Sequence, residues 1–145
     1  MAGYSGTPLV KKLGIKEGHR LAVLGDPGSF ADVLGELPAG VRRVDDPPLP
    51  RAPRAGRNSA FDVVIAFVPE ASYLARRFRA GHRLLSWTGG LWLSWPKMKS
   101  PLYRDLKEGA IRAHGLEAGL VDNKVCAVDD DWSGLRFVYR VIDRP

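Results

Sequence analysis

Cysteine is almost missing from this chain: Cys126 is the only one in 145 residues. No internal disulfide can form, so the fold has to rest on an apolar core, and a disulfide-stapled secreted scaffold is excluded. Long apolar runs are missing as well. None approaches the roughly 20 residues that a membrane-crossing helix needs. Met1 to Lys12 lacks the charged-then-apolar order of a signal peptide. These features together lead to the expectation of a bacterial cytoplasmic protein. The histidines are few and scattered (His19, His82, His114), without metal-ligand spacing, so no metal site is expected. They also stand apart from any Ser or Cys nucleophile motif, and no catalytic residue is assigned. There are no internal repeats.

What is present suits one domain spanning residues 1–145 with a single core. Apolar residues make up 45% of the chain, too many for a disordered polymer. The formal charge of +6 favours anionic partners such as nucleic acid, nucleotides or acidic proteins. Arginine-rich composition is also common in high-GC genomes, so the charge by itself selects no function.

The order of elements is informative. Thr7-Pro8 opens a short helix that Gly14 stops, completing an N-terminal helix and turn over residues 1–18. Leu21 to Leu24 is a short apolar strand running into Gly25-Asp26-Pro27-Gly28, the opening of a βα unit. A short helix is expected over Ser29 to Leu37, and a second strand over Val41 to Val44, ending in Asp45-Asp46. Residues 47–59 are rich in Pro, Arg and Gly and read as a long loop. Phe61 to Val68 is the clearest strand, with the near-continuous β-branched and aromatic content of a strand buried on both faces. Glu70 to Leu85 reads as a helix. Gly89-Gly90 is expected to turn the chain into the strand Leu91 to Trp95, and Ser100-Pro101 to cap a helix carrying Leu102, Leu106, Ala110 and Ile111 inward. Leu120 to Val128 and Leu135 to Ile142 read as an antiparallel pair around the turn Asp129 to Gly134. Strand and helix in alternation imply a three-layer α/β architecture, a mostly parallel sheet closed by a C-terminal antiparallel hairpin.

In such a sheet, ligands sit beyond the carboxyl ends of the strands. That edge gathers Gly25 to Gly28, Asp45 and Asp46, Val68-Pro69, and Ser94 to Lys97. The glycine turn reads either as amides facing an anion or cofactor or as a plain strand-to-helix turn. Ser94, Trp95 and Lys97 read as a ligand or partner contact, with Lys97 meeting a phosphate or carboxylate and Trp95 stacking on a base. The plainer reading buries the tryptophans and leaves Lys97 in solvent. Asp122, Lys124 and Cys126 share one strand face by their two-residue spacing. The arginines of Glu70–Leu85 and of the Pro-rich loop form a basic surface. No aromatic residues are interleaved with them and no helix-turn-helix, zinc-finger or single-strand-binding signature is present, so solvated charge is the plain reading and nucleic-acid binding the sharper one.

The order "LGIKEGHRLAVLGDPGSF", "FDVVIAFV", "GGLWLSWPK", a helix and a terminal hairpin resembles the Rossmann-like class I S-adenosylmethionine-dependent methyltransferases. The resemblance implies a cofactor loop at Gly25, Asp26 and Gly28, and a ribose-binding carboxylate at Asp45 or Asp46. Against that pattern, Pro27 removes a backbone donor from the loop, one strand–helix unit is replaced by the 47–59 loop, and no acceptor-site motif is present. "GYSGTPLVKKLGIKEG", "SWPK" and "GLVDNKVCAVDDDWSGLRFVYR" resemble, over Gly3 to Arg140, a family of small bacterial proteins labelled domain of unknown function three-zero-five-two. The expectation is a non-catalytic methyltransferase-like domain that binds a small ligand or protein partner at the carboxyl edge. The alternatives are a minimal methyltransferase using S-adenosylmethionine and a basic nucleic-acid-associated protein.

Overall fold

The computed structural model describes residues 7–51 and 60–145. Of the expected N-terminal segment and Pro-rich loop, residues 1–6 and 52–59 lie outside the described residues. The elements are α1 (Leu9–Lys12), β1 (Arg20–Leu24), α2 (Phe30–Leu34), β2 (Arg42–Asp45), β3 (Phe61–Phe67), α3 (Leu74–Leu84, entered through the 3-10 turn Ala71–Tyr73), β4 (Leu85–Pro96), α4 (Glu108–Glu117), β5 (Leu120–Ala127) and β6 (Trp132–Tyr139).

The six strands form one sheet in the order β2-β1-β3-β4-β6-β5. Neighbours β2, β1, β3 and β4 pair in parallel, whereas β6 runs antiparallel to both β4 and β5. The hairpin therefore inserts its second strand into the sheet and leaves β5 at the edge. Alternation along β3 divides the core. Val64, Ala66 and Val68 join Leu74, Phe78, Leu91, Ile111 and Phe137 on the α3–α4 face. Val63, Ile65 and Phe67 join Leu13, Phe30, Leu34, Trp92 and Trp132 on the α1–α2 face. The result is the expected three layers. Close approach fixes one of them: a Cβ on Gly115 of α4 would overlap the Phe137 ring of β6, so the glycine lets helix and strand meet. On the other face the buried Trp92 Nε1–H donates to the Leu13 carbonyl at 3.0 Å, tying α1 to the sheet.

Several expected boundaries differ. α2 ends at Leu34 rather than Leu37, because Gly35 takes a positive φ of 75° and closes the turn. Thr7 caps nothing: Pro8 precedes α1, with no side-chain cap. Gly89-Gly90 does not turn the chain. α3 passes directly into a twelve-residue strand, and the two glycines lie inside it where the Asp62 carbonyl and the Arg136 side chain come close. Ser100-Pro101 does not open a helix. The Ser100 hydroxyl is committed to Asp131 Oδ1 (2.8 Å) and the Leu102 N–H (3.0 Å), so residues 100–107 form turns and α4 begins at Glu108. Leu102, expected inward, is exposed. Trp132 belongs to β6, paired with Pro96, rather than to the turn.

Candidate ligand site at the carboxyl edge of the sheet

β1 leads through α2 to β2 on one side, while β3 lies on its other side. The ends of β1 and β3 thus flank the point where strand order reverses, the place where open α/β sheets receive ligands. Gly25 (φ +66°) and Gly28 (φ +117°) take backbone conformations that favour glycine. Asp26 between them works locally. Its Oδ1 accepts from the Gly28 N–H at 2.8 Å and the Phe30 N–H at 3.3 Å, and its Oδ2 meets Arg43 at 2.7 Å. Burial alone would raise the Asp26 pKa; the Gly28 N–H, Arg43 and the Phe30 N–H outweigh it and hold the carboxyl below its ordinary value. Arg43 extends the same network to Asp45 Oδ1 at 3.0 Å. Burial opposes the charge on Arg43, but the two carboxylates raise its pKa.

Asp46 sits in the left-handed region at φ 45°. Its N–H donates to the Val23 carbonyl at 2.9 Å, and its Oδ1 accepts from the Gly25 N–H at 3.0 Å. The fold therefore gathers Gly25, Asp26, Gly28, Asp45 and Asp46 into one cluster, and much of their hydrogen-bonding capacity is spent within it.

The residue that sequence reasoning did not single out is Arg77. From α3 it reaches over the end of the sheet and donates Nη1 to the Phe67 carbonyl at 2.5 Å. Its guanidinium occupies the space in front of Gly25, where even a Cβ would collide with it. The space beside Gly28 is open to 4 Å. The one sequence signal for Arg77 was its place early in the helix that leaves the end of β3. By sequence it is one of the arginines of the basic Glu70–Leu85 helix, with nothing to set it apart.

The second predicted cluster divides. Ser94 is fully buried, its hydroxyl without a hydrogen-bond partner among the described residues, and Trp95 is 5% exposed within the α3–α4 face of the core. Neither presents a surface, because β6 and the helices cover β4 on both sides. Only Lys97 reaches the edge, half-exposed, with its N–H donated to the Asp131 carbonyl at 2.8 Å. The loop it opens is pinned twice, by Ser100 to Asp131 and by Asp105 Oδ1 accepting from the Ala71 N–H at 2.9 Å. Met98 and Leu102 stand exposed on that loop.

Elsewhere, Lys124 and Cys126 share a strand face as expected, but Asp122 does not lie on it. A bulge at Asn123 breaks the alternation: Asp122 turns to Arg112 of α4 at 2.8 Å, while Cys126 packs on the opposite face. Burial pushes the Cys126 thiol up, with Lys12 and Lys124 opposing it, so it carries little thiolate character. A cavity of about 390 Å³ lies at the opposite, amino-terminal edge, between Arg20, Phe61, Arg83, Leu84 and the Pro47–Pro50 segment. None of the predicted site residues lines it. Among the described residues no group of three or more His, Cys, Asp or Glu is placed to hold a metal.

No protein-family model matches the chain, and no curated protein matches it in sequence. Solved structures do match in shape. A SAM-dependent methyltransferase from Aquifex aeolicus is similar over 89% of this chain and 86% of its own, with a TM-score of 0.55 at 13% identity. Fibrillarin from Aeropyrum pernix, solved with natively bound S-adenosyl-L-methionine, is similar over 94% of this chain and 71% of its own, with a TM-score of 0.55 at 18% identity. A TehB-like SAM-dependent methyltransferase from Corynebacterium glutamicum is similar over 86% of this chain and 82% of its own, with a TM-score of 0.50 at 11% identity. Identities this low speak to fold alone. The chain has the Rossmann-like fold of the class I S-adenosylmethionine-dependent methyltransferases, with a six-stranded sheet closed by an antiparallel β6.

Proposed function

We propose that this chain is a methyltransferase-like domain that transfers no methyl group and binds a small ligand or protein partner at the carboxyl edge of its sheet. The observation that carries the reading is Arg77 lying across Gly25. A Rossmann-type site works by letting a ligand approach the backbone of the glycine turn closely. Here that volume holds a guanidinium, whose fixed positive charge also repels the sulfonium of S-adenosylmethionine. The Gly25 N–H is taken by Asp46, and Asp26 and Asp45 are neutralised by Arg43. Residues so arranged do not fit the cofactor. The contact surface of this reading is Lys97 with the exposed Met98 and Leu102, on a loop anchored by two hydrogen bonds to other elements.

The Aeropyrum fibrillarin, with its bound cofactor, favours the competing reading of a minimal methyltransferase. In that case Arg77 swings out, Gly25 and Gly28 admit the cofactor, and Asp45 or Asp46 holds its ribose hydroxyls. Calorimetry with S-adenosylmethionine and S-adenosylhomocysteine separates the two. Our reading predicts no heat beyond dilution up to millimolar ligand. Micromolar binding that disappears in Asp45→Ala/Asp46→Ala would replace it with the enzyme. Placement in the small bacterial family three-zero-five-two belongs to the same proposal, supported by the run from Gly119 to Arg140, as does a cytoplasmic location, supported by the single cysteine.

A further inference from the structure

α3 carries four arginines, Arg76, Arg77, Arg79 and Arg83, with no lysine and no acidic residue. Its buried side is Leu74, Phe78, Gly81 and Leu84. Arg76, Arg79 and Arg83 follow one another at three- and four-residue spacing and so project from one outward face; Arg76 and Arg79 are exposed and Arg83 half-exposed. Arg43 and Arg112 are paired with carboxylates, whereas no carboxylate among the described residues is paired with Arg76, Arg79 or Arg83; Arg83 Nη1 only reaches the Pro50 carbonyl at 3.5 Å. Like charges at this spacing disfavour the helix, and no carboxylate among the described residues offsets them. An anion laid along the face would.

The aromatic residue that the sequence pattern did not show is also present. Tyr73, at the start of α3, has the Arg76 and Arg77 guanidiniums 4.8 and 5.2 Å from its ring centre. The ring packs partly on the core, and the guanidiniums stacked over it extend it into a flat cationic surface on which an unstacked base can lie. The helix rise of 1.5 Å per residue spreads Arg76 to Arg83 over about 10 Å, a row along which the backbone of one strand can run. Arginine forks suit phosphate oxygens. The same face offers no exposed large apolar side chain to enter a lipid surface, because the helix's leucines and phenylalanine point into the core.

We propose that the outer face of α3, with Arg76, Arg79 and Arg83 on the backbone and Tyr73 beneath a base, is a binding surface for single-stranded nucleic acid. This surface does not depend on whether the crevice at Gly25 takes a ligand. Fluorescence anisotropy of the full chain with a labelled single-stranded RNA of about 20 nucleotides, read across a salt series, tests it. Expected is micromolar binding that Arg76→Gln/Arg79→Gln/Arg83→Gln weakens by about tenfold or more, with the salt slope reduced by about two. The charge-keeping Arg76→Lys/Arg79→Lys/Arg83→Lys variant retains the slope. Tyr73→Leu weakens binding by about tenfold and leaves the slope in place. A control that removes the same charge elsewhere, Lys11→Gln/Lys16→Gln/Lys124→Gln, changes affinity by less than about threefold. Equal losses in the control and α3 variants, an unaffected Tyr73→Leu, or binding to phosphatidylserine vesicles without binding to RNA would each overturn the proposal.

Discussion

The guanidinium of Arg77 lies where a side chain on Gly25 would begin, and its Nη1 is bonded to the Phe67 carbonyl at the end of β3. One side chain from the helix after β3 thus closes the crevice between β1 and β3. Arg77→Ala leaves that crevice open. The variant is expected to bind S-adenosylhomocysteine at least about tenfold more tightly than the parent, a gain of about 1.4 kcal/mol. Equal affinity of the two proteins in calorimetry would show that Arg77 is not the obstacle.

Gly25→Ala is expected to destabilise the fold by about 2 kcal/mol, because the residue holds φ +66° and its Cβ displaces Arg77. In a double-mutant cycle with Arg77→Ala the two losses should fall short of their sum, since both break the same contact. Strict additivity in denaturant melts would contradict the overlap.

Asp26 anchors the start of α2 and neutralises Arg43. Asp26→Ala should cost about 1–2 kcal/mol. The carboxyl is held below its ordinary value, so its contribution is complete above the unfolded value near 3.9 and is lost as pH falls through the lower folded one. Asp26→Asn should therefore flatten the acid limb of a stability-versus-pH curve. An unchanged acid limb would remove Asp26 from that account.

His82 is half-buried, its ring 6.2 Å from Phe78 and 5.5 Å from Tyr139. Burial lowers its pKa, so the folded state takes up this proton less readily than the unfolded chain. Stability is then full above about pH 6.5 and declines as pH falls toward the lowered folded value. His82→Phe keeps the ring contacts and removes the proton. Its Tm should drop less between pH 7.5 and 5.5 than that of the parent protein, as measured by circular dichroism.

Gly115→Ala drives a methyl into the Phe137 ring, which is fully buried. A loss of about 1–3 kcal/mol is expected. Adding Phe137→Leu should recover part of it, since the smaller side chain vacates the overlap. A double variant no more stable than Gly115→Ala would point to the helix backbone instead.

Legibility along the chain follows how local the cause is. β3 was legible because its Val, Ile and Phe content has one comfortable conformation, a strand covered on both faces. The hairpin partners were legible from two apolar runs around an Asp-rich turn. Gly89-Gly90 misled because glycine pairs signal turns locally, whereas here they admit Asp62 and Arg136 from other elements. Ser100 misled because its hydroxyl has a stronger partner in Asp131 than in a helix N-terminus. The Asn123 bulge, invisible to a two-residue period, separated Asp122 from Cys126.

The alternation of strands and helices, the glycine turn after β1, the acidic pair at the end of β2 and the closing hairpin are written in the residue order, because each depends on residues within one or two turns of one another. Packing set the rest: β6 enters the sheet between β4 and β5, Ser94 and Trp95 are interior while Lys97 stays at the edge, and Asp26, Arg43 and Asp46 spend their bonds on the turn itself. It also decided that Arg77 faces Gly25. Each of these is a contact between elements distant in the chain, set by how helices and strands pack, and packing leaves no periodic trace in the order of residues.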